Sequence, residues 1–337
     1  MSRYLIKRVL FILPTFLGIT LMTFLMIQLA PGNPVSMKLQ ALAGQGIRAE
    51  SVSPEVIEQT KKLYGLDQPL PRQYVLWLKR FCTLDFGTSY KDHRPVLKKI
   101  TEALPVTLAL NILSILLIYL IAVPVGILSS LKPESRTDQL ITLLLFFLYS
   151  LPSFWVAILL ILFLGGGEYL DLFPVVGIVS AGFQTLSLWG KLGNLLWHLV
   201  LPVTVLTYGG LAFLSRLARA QVLEVIRQDY IRTARAKGLS EFQVVFRHAF
   251  RNSMIPLVTL MGTLLPALIG GSVIVEQIFS IPGMGRLGFE AVLSRDYPTI
   301  MAIASIEAVL TLVSILLSDL LYVMVDPRIS FEKVEAI

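Results

Sequence analysis

Glu307, Thr311, Ser314 and Ser318 recur at intervals of four, three and four residues, which puts one acid and three hydroxyls on a single helical face within an apolar run. An ionisable group in such a run could contact a solute or relay a proton. The same seam suits attachment between helices or a subunit interface, because hydroxyls bond across packed helices. Other candidates are sparse. The stretch "SIPGMGRLG" at 280–288 carries a Gly-x-Gly, but no strand precedes it, which excludes dinucleotide binding. It reads as a turn-rich loop in which Pro282, Gly283, Gly285 and Arg286 form either an outer gate or a plain connector. His198, in "LWHLVLPVT", has no His or Cys close by with which to share a metal. Cys82 is the single cysteine, so no intrachain disulfide and no cysteine-based metal site can form. The sequence GxxxxGK[ST] occurs nowhere, and "GGGE" at 165–168 is no substitute for it. Without paired acids, a His-rich helix or a serine nucleophile motif, the chain has no chemistry of an intramembrane enzyme.

The elements that position these residues are set by hydrophobicity. Of 337 residues, 55% are hydrophobic and only 15% charged, too apolar for a soluble domain of this length. Crossing about 30 Å of hydrocarbon takes roughly 20 residues, and six runs qualify. They are Val9 to Ala30, Ala103 to Leu131, the stretch between Asp138 and Glu168, that between Lys191 and Arg216, that between Arg251 and Glu276, and Tyr297 to Ser318. Backbone groups left unpaired in lipid cost several kcal/mol each, so the spans should be helices and the chain an all-α integral membrane protein. The first run is too long for a cleaved signal and lacks a small-x-small cleavage site, so it reads as a retained anchor.

Lys and Arg set the orientation. With the N-terminus inside, cytoplasmic segments hold fifteen basic residues, against three in the two short outer loops, 168–191 and 276–296. The remaining eleven lie in the segment 31–102, long enough to translocate regardless of charge. Both termini, including a tail at 326–337, are therefore expected in the cytoplasm, and the formal net charge of +7 reflects anchoring rather than nucleic-acid binding. Segment 31–102 should carry a helix in "SPEVIEQTKKLYGL", with Ser53 as N-cap, Pro54 at the first position and Gly65 past the end. A second is expected in "QYVLWLKRF", with Trp77 and Phe81 on one side. The segment is a cap over the bundle or a surface for an external partner.

The longest cytoplasmic loop runs from Arg216 to Arg251 and contains "DYIRTARAKGLS" at 229–240. Helix is expected through Lys237, supported by Glu224 with Arg227 and Asp229 with Arg232. Gly238 should stop it, at a cost of about 1 kcal/mol relative to Ala inside a helix. Ser240 with Gln243 then fits a capping box, and Leu239 with Val244 the hydrophobic staple beside it. Arg232, Arg235 and Lys237 point in different directions at 100° per residue, so the unit is no DNA reader. Tyr230, Ile231, Ala234 and Gly238 share a face whose small residues would let a partner's backbone approach.

The stretch "DYIRTARAKGLSEFQVVFRHAFRNSMIP" resembles the cytoplasmic signature loop of ABC importer permeases, specifically the first permease subunit of the peptide and nickel family. The general signature is Glu-Ala-Ala, three residues, Gly, nine residues, then Ile-x-Leu-Pro. Here Ala234 and Gly238 match, Arg232 and Thr233 replace the Glu and first Ala, and His248, Phe250 and Arg251 replace Ile, Leu and Pro, as in the dipeptide and oligopeptide branch. "LPTFLGITLMTFLMIQLAPGNP", "YGLDQPLPRQYVLWLKRF", "DFGTS", "EQIFSIPGMGRLGFEAVLSRDYP" and "DLLYVMVDPRI" resemble the same branch in the same order. The resemblance implies a six-helix type I ABC importer permease fold. Residues 1–30 would form a cytoplasmic tail and first helix, 31–102 an external segment, and 103–325 a five-helix core with the coupling loop 216–251. It further implies a multi-pass protein of a bacterial or archaeal inner or plasma membrane.

The same resemblance implies the partners. ATP and Mg would be bound by two separate ATP-binding subunits, with no cofactor in this chain. Asp229, Tyr230, Ile231, Arg232, Ala234, Arg235, Lys237, Gly238, Leu239, Arg247 and His248 would meet them. A second, homologous permease subunit would complete the pathway. An external solute-binding protein would deliver a dipeptide, oligopeptide, nickel chelate or glutathione. The alternative, a secondary transporter or channel not driven by ATP, would show more intramembrane charge or an inverted repeat.

Overall fold

The computed structural model describes residues 2–29, 58, 67–167, 169–240, 243–244, 249–264 and 267–325. The helix expected at 53–65, the tail at 326–337, and Arg247 and His248 lie outside the described residues. Among the described residues the elements are helices: α1 Ser2–Leu29, α2 Leu70–Cys82, α3 Val96–Leu131, α4 Arg136–Ser150, α5 Ser153–Leu164, α6 Leu188–Ile226, α7 Asp229–Ala236, α8 Phe250–Thr263, α9 Ala267–Gly270, α10 Val273–Ile278, α11 Met284–Leu293 and α12 Tyr297–Val325. Four are long and apolar enough to cross a membrane, within Leu10–Leu29, Val96–Leu131, Leu188–Ile226 and Tyr297–Leu317, and α4 with α5 can make a fifth. The chain divides into two compact units, 1–104 with 286–313, and 105–285 with 314–337.

In the first unit, α2 packs along α1. Pro69 precedes α2 and its carbonyl accepts from Arg72 and Gln73, so a residue without an N–H sits where no helical donor is needed. Phe16, Thr20 and Phe24 recur every four residues and form the buried stripe of α1. Aromatic rings cover that stripe: Tyr74 lies 5.5 Å from Phe24 and Phe81 lies 5.0 Å from Phe16, ring centre to ring centre. Trp77 bridges Tyr74 and Phe81 at 5.8 and 5.6 Å, and the Tyr74 hydroxyl reaches Thr20 at 2.9 Å.

In the second unit, the run expected as one span between Asp138 and Glu168 is bent by 96° between α4 and α5. Pro152 is the cause. Its ring forces the preceding Leu151 out of the helical region, to ψ 129°, and its own carbonyl starts α5 by accepting from Trp155 and Val156. The Leu151 carbonyl freed by the break accepts from the Tyr208 hydroxyl of α6 at 2.7 Å. The run between Arg251 and Glu276 is likewise not one helix. It is divided among α8, α9 and α10, with Gly271 at φ +65° between the last two. Conversely, α3 starts seven residues before Ala103, and α6 continues past Arg216 to Ile226.

The core of this unit forms where α3, α5, α6 and α10 meet, around Leu110, Ala157, Leu201, Tyr208, Val275 and Phe279. A second cluster joins Ala122, Val123, Ile127, Leu214, Ala218, Val222 and Leu257 from α3, α6 and α8. Gly126 makes that crossing possible, since a Cβ there would fall 2.5 Å from the Ser215 carbonyl oxygen and 2.7 Å from Ala218 Cβ. Leu116, Leu120, Leu128, Leu140, Leu143 and Phe147 are exposed, as lipid-facing residues of spanning helices should be.

Candidate functional site

The loop singled out in the sequence folds onto a small core of its own. Helix α6 ends at Ile226, Gln228 adopts an extended ψ of 150°, and α7 restarts at Asp229. The single helix expected through Lys237 is thus broken at Gln228. The break turns the apolar side of α7 back onto the end of α6, where Ile231 and Ala234 are buried with Val244 and Ala249 against Val225, Ile226 and Leu239. Of the face expected to meet a partner, Ile231 and Ala234 are therefore directed inward, whereas Tyr230 and Gly238 are exposed. Ile231 and Ala234 hold the helix in place, whereas Asp229, Tyr230, Arg232, Arg235 and Lys237 are exposed.

Gly238 ends the unit as the sequence implied. It has φ +77°, a conformation that side-chain-bearing residues rarely adopt, and its N–H donates to the Arg235 carbonyl at 2.9 Å. The reciprocal capping box follows: the Ser240 N–H donates to Gln243 Oε1 at 3.3 Å, and the Gln243 N–H to Ser240 Oγ at 3.4 Å. Asn252 of α8 donates to the Tyr230 hydroxyl at 2.8 Å, and Asp229 pairs with Arg232 at 3.5 Å on the exposed side.

The loop expected as an outer gate wraps a buried acid that the sequence reading passed over. Glu276, 1% exposed, accepts from the Thr107 hydroxyl at 3.0 Å, and Thr107 Oγ1 accepts the Met284 N–H at 2.7 Å. Gly283 lies so close that a Cβ on it would fall 2.5 Å from the Glu276 carboxyl carbon. A Cβ on Gly271 would meet Gly285 N at 2.5 Å and Glu276 Oε1 at 2.6 Å. Gly283 and Gly285 are buried and Pro282 exposed, so these glycines serve close approach to a carboxylate rather than mobility. An E-x₆-G-x-G spacing was the available signal.

In the first unit, Arg286 bonds Glu290 at 2.8 Å, and Lys91 reaches the other oxygen of the same carboxylate at 2.8 Å. These two cations hold Glu290 below the usual carboxylate range. Beside them is a buried network. Asp296, fully buried ahead of α12, accepts from Ser89 Oγ at 2.5 Å, Tyr90 N–H at 2.8 Å and Thr299 Oγ1 at 2.6 Å. Lys99 donates to Ser89 Oγ at 3.0 Å and pairs with Asp92 at 2.9 Å. Burial pushes the Asp92 carboxyl up, but the Lys99 ammonium and the Arg94 N–H that bond it outweigh this, leaving a pKa lowered to about 2.

Glu307 and Thr311 are half-buried and Ser314 is buried on α12, while the Ser318 side chain lies outside the described residues. His198 is buried in a polar cluster, with Nδ1 2.8 Å from the Asn194 carbonyl oxygen and Nε2 3.4 Å from Ser180 Oγ. Among the described residues, no three His, Cys, Asp or Glu side chains converge as metal ligands.

Residues 122–331 match the family described as binding-protein-dependent transport system inner membrane component, and residues 1–111 match its N-terminal domain. The chain is 40% identical to the oligopeptide transport system permease protein AppB of Bacillus subtilis, over 98% of this chain and all of that protein. It is 36% identical to the inner membrane ABC transporter permease protein YejB of Escherichia coli O157:H7, over 98% of this chain and all of the relative. It is 35% identical to the dipeptide transport system permease protein DppB of Escherichia coli K12, over 99% and 100%. Apolar helices of spanning length, family matches over residues 1–111 and 122–331, and relatives of 35–40% identity over nearly the whole chain agree: this protein belongs to the binding-protein-dependent transport system inner membrane components, as a membrane permease subunit of an ABC importer.

Proposed function

We propose that this chain forms half of the translocation pathway of an ATP-driven importer of peptides or related small solutes. Its coupling contact is the exposed side of α7 with the Gly238 turn. The carrying observation is the build of that loop: a short helix fastened by Ile231 and Ala234 to the chain's own core, leaving Asp229, Tyr230, Arg232 and Lys237 outward. A helix so fastened transmits a push into α6 and α8 instead of swinging freely. In this reading the chain crosses the membrane six times, with the divided run between Arg251 and Glu276 as one crossing, and both termini are cytoplasmic. Two ATP-binding subunits hold ATP and Mg. A second permease subunit supplies the other wall, and an external solute-binding protein delivers the cargo. Similarity to oligopeptide and dipeptide permeases over nearly the full length supports peptide cargo.

Gly238→Lys tests the coupling contact. Gly238 lies in the left-handed region with open space around it, so a side chain costs about 1 kcal/mol of local strain without a clash. The variant should insert into the membrane normally, yet lose most co-purification with the ATPase subunits and most substrate-stimulated ATP hydrolysis. Wild-type assembly and transport in this variant would sink the reading.

A further inference from the structure

Seven residues before α6 ends, Arg219 leaves the helix to meet Asp138, the residue at which α4 begins to bury itself. The guanidinium binds the carboxylate with both arms, Nε to Oδ1 at 2.9 Å and Nη2 to Oδ2 at 2.6 Å. This is the fork geometry that fixes orientation as well as distance. The carboxylate also accepts from Ser129 Oγ of α3 and from the Glu134 N–H at 2.9 Å. The Asp138 N–H in turn donates the N-cap bond to Ser135 Oγ at 3.3 Å. Asp138 is 5% exposed and the Arg219 side chain 20%. One carboxylate therefore ties three helices, α3, α4 and α6, and does so largely away from water, where such a pair resists screening.

Its place relative to the loop matters. Ile226, about 10 Å along α6 from Arg219 at 1.5 Å per residue, packs in both the α3–α6–α8 cluster and the small core that holds α7. At Gly126, the backbones of α3 and α6 are in direct contact beside Arg219, whose N would be 3.1 Å from an added Cβ. A displacement of α7 thus enters α6 through Ile226 and meets a rigid joint two turns further on. We propose that Asp138 and Arg219 are positioning residues for energy coupling: they make α3, α4 and α6 answer a movement of the 229–240 loop as one body. This rests on the reading of that loop as the ATPase contact. Without the pair, α6 could yield alone and the ATPase would cycle without driving the bundle.

The experiment uses the complete transporter in nanodiscs, with its partner permease, ATPase subunits and binding protein. ATP hydrolysis is measured with and without the binding protein. Asp138→Asn should keep subunit composition and basal hydrolysis within twofold of wild type, while stimulation by the binding protein falls at least fivefold. Arg219→Met should do the same, and Arg219→Lys, which keeps the charge but not the fork, should recover at least half of the stimulation. Wild-type stimulation in Asp138→Asn or Arg219→Met overturns the proposal. So does equal damage in Arg219→Lys and Arg219→Met, or loss of the ATPase subunits from both, since these mark a merely structural role. The underlying loop reading has a separate control. With Cys82→Ser as background, Lys237→Cys should cross-link to an ATPase subunit through a thiol-to-amine reagent. Absence of that product in an otherwise wild-type complex defeats the loop reading, whereas its presence beside unchanged stimulation in Asp138→Asn defeats the inference alone.

Discussion

At the scale of single residues, the loops between helices are organised by carboxylates and glycines fitted to one another. Gly271 shows how little room there is: its φ is +65°, and a Cβ would sit 2.5 Å from the backbone nitrogen of Gly285. Gly271→Ala therefore combines backbone strain with a collision against main chain that cannot rotate away. It should destabilise the protein by about 2–4 kcal/mol, read as a clear fall in Tm in detergent. Asp92 gives a pH-dependent counterpart. Its folded pKa, lowered to about 2, lies below the 3.8 of an unperturbed Asp. The unfolded chain thus binds a proton first as pH falls, and stability present above pH 3.8 is lost progressively towards pH 2. Because its side chain is 35% exposed, solvent screening holds the effect to about 1 kcal/mol. Asp92→Asn should flatten that part of a Tm profile against pH, while a profile as steep as wild type would exclude the ion pair as its source.

At the scale of elements, the helices depart from their hydrophobic runs where a proline or a tertiary partner intervenes. The α4–α5 bend needs both Pro152, which prevents a straight helix, and Tyr208, which takes the carbonyl left over. Tyr208→Phe removes the hydroxyl and leaves the Leu151 carbonyl without that donor. The cost should be about 1 kcal/mol, since lost hydrogen bonds within membrane proteins are worth less than desolvation alone suggests. Thermal melting would check this, and an unchanged Tm would mean that the bend is held by Pro152 and packing alone. The break at Gln228 has a different cause. No proline or glycine marks it. It is stabilised by burying Ile231 and Ala234 against Val225 and Ile226, a gain visible only when the two helices are placed side by side.

At the scale of the whole molecule, the chain reads as a permease because apolar composition, helix lengths and family membership agree. Composition and periodicity determined the membrane class, the left-handed turn at Gly238 and the Ser240–Gln243 capping box, since each depends on residues within a few positions of one another. The tertiary structure alone decided that Ile231 and Ala234 face inward and that the Gly283–Gly285 loop encloses Glu276. It alone decided that Ser89 meets Asp296 and Arg219 meets Asp138. Those last pairs are 207 and 81 residues apart. Apolar positions recurring every three or four residues specify which face of a helix is buried but carry no information about which distant segment will bury it. That choice depends on packing and on satisfying buried polar groups across the entire unit.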